Sequence, residues 1–303
     1  MSFVISSKQH LAPTENRNQY EPMMFETAGV TIDCLDVSFG HPLYTAAVDI
    51  YRVTLEDDTG EEGKYVPIVP DGCMSLVFQG NKFNDEPAEG YLCGVTDEIK
   101  KIHVRPEDYY VFIRFMPGTG YSLIKQYGKA GDISNSAVPV RGGMVGEEQI
   151  LPILERSITL HERVGFISKV VRIHLQNEPD KYIVKYCTER IFRSQGNVRV
   201  EELAEETGFT SRHIGKLFER CVGASPKLFS QIIKLQTSMK KVIESGDRRL
   251  MEIAVDSGFF DHAHMNRMYR KLIGISSGEF RKNLLSNLDY TLIDDYISVN
   301  EAR

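Results

Sequence analysis

Apolar positions recur three and four residues apart over much of the last third of the chain. Leu203 and Thr207 share one short face, and Ile214, Leu217, Phe218 and Cys221 share the next. This is the spacing of a helix with one side turned to a core. Fifty residues on, the first phrase returns: Leu203-Ala204-x-x-x-Gly208-Phe209 recurs as Ile253-Ala254-x-x-x-Gly258-Phe259. Beyond the turn the offset is 51, because the second copy has one extra residue. Ile214, Lys216, Phe218, Gly223 and Ser225 then match Met265, Arg267, Tyr269, Gly274 and Ser276.

Each copy has the chemistry of a helix–turn–helix. The small Ala204 lets a second helix cross closely. Gly208 stops the first helix and takes the left-handed conformation of a sharp turn. Phe209 plugs the corner, and Thr210 (Asp261 in the second copy) caps the next helix. Met265, Met268, Tyr269 and Leu272 repeat the core-facing stripe. Pro226–Glu244 opens with proline at a first-turn position and keeps helical apolar spacing, so a long helix is predicted between the units.

The N-terminal part carries a different pattern. Val30–Val37, Tyr44–Val53, Ser75–Phe78, Lys101–Val104 and Tyr109–Met116 are rich in β-branched and aromatic residues. Turn signals lie between them at Asp57-Asp58-Thr59-Gly60 and Pro70-Asp71-Gly72, and a small sandwich or barrel is predicted. Residues 147–176 return to helical spacing, with a bend expected at Arg163 to Gly165. Gln176 to Asp180 is the expected linker.

Charge follows the same division. Residues 1–180 hold 16 Lys/Arg against 26 Asp/Glu, residues 181–287 hold 19 against 12, and residues 288–303 hold one against four. A whole-chain net of −6 therefore conceals a basic segment, the footprint of a polyanion-binding module. The start has no basic patch followed by an apolar run, so a secretory signal is not expected. No apolar run approaches membrane-span length, and no membrane association is expected. Five scattered cysteines fit a reducing cytoplasm.

Residues 185–283 resemble the DNA-binding domain of AraC/XylS-type transcription regulators. The resemblance rests on Ile253, Ala254, Gly258, Phe259, Asp261, Arg267, Lys271, Gly274, Ser276, Phe280 and Arg281. Ser277 stands where the family has proline, which loosens the start of the last helix. The resemblance implies seven helices, with two helix–turn–helix units bridged by one long helix. It places Ser211, Arg212, Gly215 and Lys216 on the first DNA-facing helix and His262, Ala263, Asn266 and Arg267 on the second. Arg212, Lys216 and Arg267 suit guanine, Asn266 suits adenine and Ala263 a thymine methyl. Arg270, Lys271, Arg281 and Lys282 suit phosphates. His264 is divided between packing and base contact.

Val69-Pro70-Asp71-Gly72-Cys73 and Phe115-Met116-Pro117-Gly118 resemble the cupin-like N-terminal domains of some such regulators. The expected architecture is two-domain α+β. Residues 1–145 form a cupin-like β-barrel or sandwich that binds an effector. Residues 146–180 form a helical hairpin, for dimerisation or capping, with the linker. An all-α DNA-binding domain (181–287) and an acidic tail (288–303) follow. Tyr109, Phe112 and Arg114 on the best strand are the candidate contacts for a small-molecule effector, anionic or hydroxylated. Against this stands a plainer reading, ordinary strand residues with Arg114 in solvent.

No metal is expected. His262 and His264 do not share a helix face, and His10, His41 and His103 lie far apart. No cofactor is expected, and with no nucleophile, phosphate-loop or zinc motif the chain is not expected to be an enzyme. The expected function is a cytoplasmic, sequence-specific regulator, an activator more often than a repressor. Its partners would be double-stranded DNA, a small-molecule effector, a second copy of the chain and the transcription machinery. The alternatives are a constitutive regulator whose N-terminal half only dimerises, and a DNA-linked enzyme.

Overall fold

The computed structural model describes residues 22, 29–35, 37, 40–56, 63–82, 89–124, 129–156, 158–175, 179–244 and 248–284. The acidic tail 288–303, the Asp57–Gly60 turn, His10 and most of the expected linker lie outside the described residues.

The N-terminal half is β-rich. Its strands are β1 (Val30–Leu35), β2 (Ala47–Leu55), β3 (Lys64–Ile68), β4 (Ser75–Asn81), β5 (Glu89–Cys93), β6 (Lys100–Val104), β7 (Asp108–Phe115) and β8 (Ala137–Pro139). Six of them form an antiparallel sheet in the order β1-β2-β7-β4-β5-β8, and β3 pairs with β6 in a separate ribbon. Five strands match the sequence expectation to within a few residues; β3, β5 and β8 were not expected.

Every residue of β7 is buried. Its alternate residues enter two different cores, which explains the unbroken apolar run. Tyr110 and Phe112 face the ribbon, with Tyr51, Val66 and Ile102. Tyr109, Val111, Ile113 and Phe115 face the helices.

A single turn, α1 (Val140–Gly143), leads into α2 (Glu147–Leu154) and α3 (Leu160–His174). The expected bend at Arg163 to Gly165 is corrected: α3 runs through those residues, and the break falls at Glu155 to Thr159. The reason is a capping box. The Thr159 hydroxyl accepts the Glu162 N–H at 3.3 Å, and the Glu162 carboxylate accepts the Thr159 N–H at 3.0 Å, which starts a fresh helix. Arg163 is buried, donates to the Tyr109 hydroxyl and to the Arg156 carbonyl, and so ties α3 to the sheet.

Seven helices follow among the described residues: α4 (Pro179–Arg193), α5 (Val200–Thr207), α6 (Ser211–Cys221), α7 (Pro226–Glu244), α8 (Leu250–Asp256), α9 (His262–Ile273) and α10 (Ser277–Leu284). The helix-facing core of the sheet continues without a break into these helices, from Ile113 and Phe115 through Val184 and Phe218 to Tyr269. Two β-side segments press on the helical half. Lys129 pairs with Glu219, and the Ser134 hydroxyl donates to the Gly223 carbonyl. The Pro70–Cys73 loop meets α7. A Cβ at Gly72 would lie 2.6 Å from the Phe229 ring, so this approach needs glycine.

Candidate nucleic-acid interface

Both turns are built on the expected glycines and caps, but only Phe259 plugs its corner; Phe209, expected to do the same, is exposed and lies against His213. Gly208 and Gly258 adopt φ of +75° and +77°, and the chain reverses there at no Cβ cost. The Thr210 hydroxyl accepts the His213 N–H at 3.2 Å, and the Asp261 carboxylate accepts the His264 N–H at 2.6 Å. These caps fix where α6 and α9 begin. Ile214, Leu217, Phe218 and Cys221 of α6 are buried, as are Met265, Met268, Tyr269 and Leu272 of α9.

The opposite faces point outward. Arg212 and Lys216 are exposed on α6, with Ser211 and Gly215 half-buried beside them. A Cβ at Gly215 would meet nothing within 4 Å, so the surface there is open. On α9, Ala263, Arg267, Arg270 and Lys271 are exposed; Arg281 is half-buried and Lys282 exposed on α10. Arg212 and Lys216 of α6, and Ala263 and Arg267 of α9, lie in the first two turns, where unpaired N–H groups add positive potential, whereas Arg270, Lys271, Arg281 and Lys282 lie in the last turns of α9 and α10.

Three side chains proposed for DNA contact have internal work. The Asn266 carbonyl oxygen accepts the Ser277 N–H at 2.9 Å and the Ser277 hydroxyl at 2.8 Å. Its amide lies 3.3 Å from His262 Nε2, which lies 3.1 Å from the same hydroxyl. These groups hold the start of α10, together with a Ser276–Glu279 capping box that makes good the missing proline. Lys271 donates to Gln231 at 3.1 Å. His264 is a packing residue: its ring meets Phe259 edge-on with centroids 5.4 Å apart.

Part of the basic surplus is also internal. Lys234 and Lys241 of α7 donate to the Gly258 and Asp256 carbonyls at 3.0 and 2.5 Å. Burial lowers both ammonium pKa values. These lysines clamp the second unit to α7.

The expected effector residues are split between two faces: Phe112 and Arg114 lie on one, Tyr109 on the other. Tyr109 faces the helices and Phe112 the ribbon. Arg114 is not in solvent but buried, donating to Asp49 at 2.8 Å and to Asp71 at 3.1 Å. It lies 5.0 Å over the Tyr51 ring, which stacks on Phe112 at 4.8 Å. Burial opposes the guanidinium charge, but Asp49, Tyr51 and Asp71 together hold the Arg114 pKa high. Burial pushes the Asp71 carboxyl upward despite Arg114. Two carboxylates against one guanidinium make this part of the sheet unwelcoming to an anion.

The C-terminal helices match a family model described as a helix-turn-helix domain over residues 203–283. Those residues form an AraC-type helix–turn–helix domain. Residues 42–139 match a second model, a domain of unknown function (DUF6597). The helix–turn–helix assignment also agrees with curated relatives. An HTH-type transcriptional regulator of Bacillus subtilis, YbfI, is 29% identical over 119 residues, 39% of this chain and 40% of the relative. The lactose operon transcription activator of Staphylococcus xylosus is 25% identical over 129 residues, 43% of this chain and 44% of the relative. The chain thus spans less than half the length of either. ToxT of Vibrio cholerae aligns with 84% of this chain and 98% of its own, at 12% identity and a TM-score of 0.39. No described helix is long and apolar enough to cross a membrane.

Proposed function

We propose that this protein is a sequence-specific transcription regulator that binds double-stranded DNA with both helix–turn–helix units of residues 181–287. The carrying observation is the pair of exposed basic helix starts, Arg212 with Lys216 and Ala263 with Arg267, presented by two units on one continuous α7. Two such helices reach successive major-groove segments roughly 34 Å apart. Arg212, Lys216 and Arg267 read bases, while Arg270, Lys271, Arg281 and Lys282 meet phosphates.

Residues 1–145 are the regulatory part and residues 146–180 the dimerising part of a cytoplasmic homodimer. Phe166 and Ile173, 41% and 74% exposed and seven positions apart on α3, support the second assignment. A regulator of this kind acts on the transcription machinery and answers to a small-molecule effector. A second reading, regulation without an effector, is favoured by the closed Asp49–Arg114–Asp71 cluster.

The test is selection of bound sequences from random duplex DNA by the full-length chain. Two short boxes about one helical turn apart are expected. No enrichment by either the full chain or residues 181–287 would overturn the reading. The two regulatory readings separate in a thermal-shift screen of small molecules, since a ligand of the native state raises Tm.

A further inference from the structure

We infer that Phe260 is an apolar reading contact of the second unit, seated against the C5-methyl of a thymine beside the bases reached from α9. The inference rests on the DNA reading above and adds to it a residue that neither the repeat nor the basic pattern marks.

The two turns differ by one residue. From Gly208 the first unit passes through Phe209 to its cap, Thr210; from Gly258 the second passes through Phe259 and Phe260 to Asp261. The insertion has a physical effect. Phe259 fills the corner and is 4% exposed, while Phe260 is 89% exposed. An apolar residue just before a helix cap ordinarily folds back onto the fourth residue of the helix. That residue is Met265, which is fully buried among other core side chains and leaves Phe260 outside. In the first unit the corresponding Phe209 instead stacks on His213, with centroids 4.9 Å apart.

The Phe260 backbone is nonetheless held. Its N–H points to His264 Nδ1 at 3.4 Å, and the next residue is the helix cap. A large apolar ring therefore stands on a fixed backbone at the N-terminal end of α9, the end that approaches base edges in this motif. It stands three residues before the exposed Ala263 and seven before the exposed Arg267, at the end of α9 where both lie. A surface made of one ring, one methyl and cations suits a polyanion that displays an apolar group. The thymine methyl is that group in the major groove.

The experiment uses the full-length protein, its Phe260→Ala and Phe260→Leu variants, and the duplex selected by the wild type. Each thymine near the second box is changed in turn to uracil, which removes the methyl and nothing else. At one position the change should weaken wild-type binding about fourfold, the worth of one methyl-sized apolar contact. The same change should leave Phe260→Ala binding unaltered, with Phe260→Leu between the two. Equal sensitivity of all three proteins at every thymine, or unaltered affinity of Phe260→Ala, overturns the inference and leaves the DNA reading standing. Failure of the wild type to select any sequence removes both.

Discussion

The side-chain amide of Gln236, on α7, donates to the backbone carbonyl of Pro70 at 2.6 Å, across the boundary between the β-rich half and the helical half. Gln236 is 4% exposed, so water does not readily replace it. Pro70 precedes Asp71, which pairs with Arg114, and Gly72, which lies against Phe229. One short loop thus touches both the ion cluster of the sheet and the helix that joins the two helix–turn–helix units. Replacing Gln236 by Leu leaves the Pro70 carbonyl without this donor and should destabilise the protein by about 1–3 kcal/mol. Urea denaturation measures this; an unchanged midpoint would show that the contact contributes nothing.

Arg114 is the linchpin of that ionic cluster. Arg114→Met leaves the buried Asp49 carboxylate and the half-buried Asp71 without their cation and should cost about 3–5 kcal/mol. Arg114→Lys keeps a charge, loses the two-pronged geometry and should fall between. Denaturation midpoints in the order wild type, Lys, Met are expected, and any other order would argue against the cluster.

Arg267 and Lys282 are expected to behave differently on DNA. Arg267→Ala should weaken specific binding by about 1–3 kcal/mol and relax preference at one base pair. Lys282→Ala should weaken all sequences alike and reduce the salt slope by about one. Titrations at several salt concentrations, on selected and scrambled duplexes, distinguish these outcomes.

Asn266 is expected to act on stability and not on sequence choice. Asn266→Ala leaves the Ser277 N–H without its acceptor and should cost about 1–2 kcal/mol. The selected DNA motif should match that of the wild type. A lost preference for adenine would instead restore Asn266 as a base contact.

The capping box at α10 adds a pH dependence. The Ser276 hydroxyl and N–H donate to Glu279 and hold its carboxyl below the ordinary range. A depressed carboxylate contributes stability above its unfolded pKa and loses it as pH falls through the folded value. The stability advantage of wild type over Glu279→Gln should therefore be full at neutral pH and shrink in acid, as thermal melts at several pH values would show.

Some of this was legible in the chain and some was not. The helical units were, because periodicity, turn glycine and cap all lie within about twenty residues of one another. The Thr159-x-x-Glu162 signature was equally local and would have placed the break before α3 correctly. The missed strands lacked such signals: β3 contains Pro67, β5 begins Glu89-Gly90, and β8 is three residues long. Their pairing depends on partners far along the chain. The same distance hides the burial of Arg114, whose carboxylate partners lie 65 and 43 positions away. Asn266 carries a second role that its own helix does not show: its carbonyl oxygen accepts from Ser277, eleven positions on, at the start of α10.

If both units read bases as proposed, the length of α7 sets a rule for any site they share. Nineteen residues of uninterrupted helix make a rod of about 28 Å, clamped to the second unit by Lys234 and Lys241. Adding one base pair between the two boxes would swing the farther box about 35° around the duplex axis, out of reach of α9. New target letters can be acquired one exposed side chain at a time, whereas a new spacing demands a different rod.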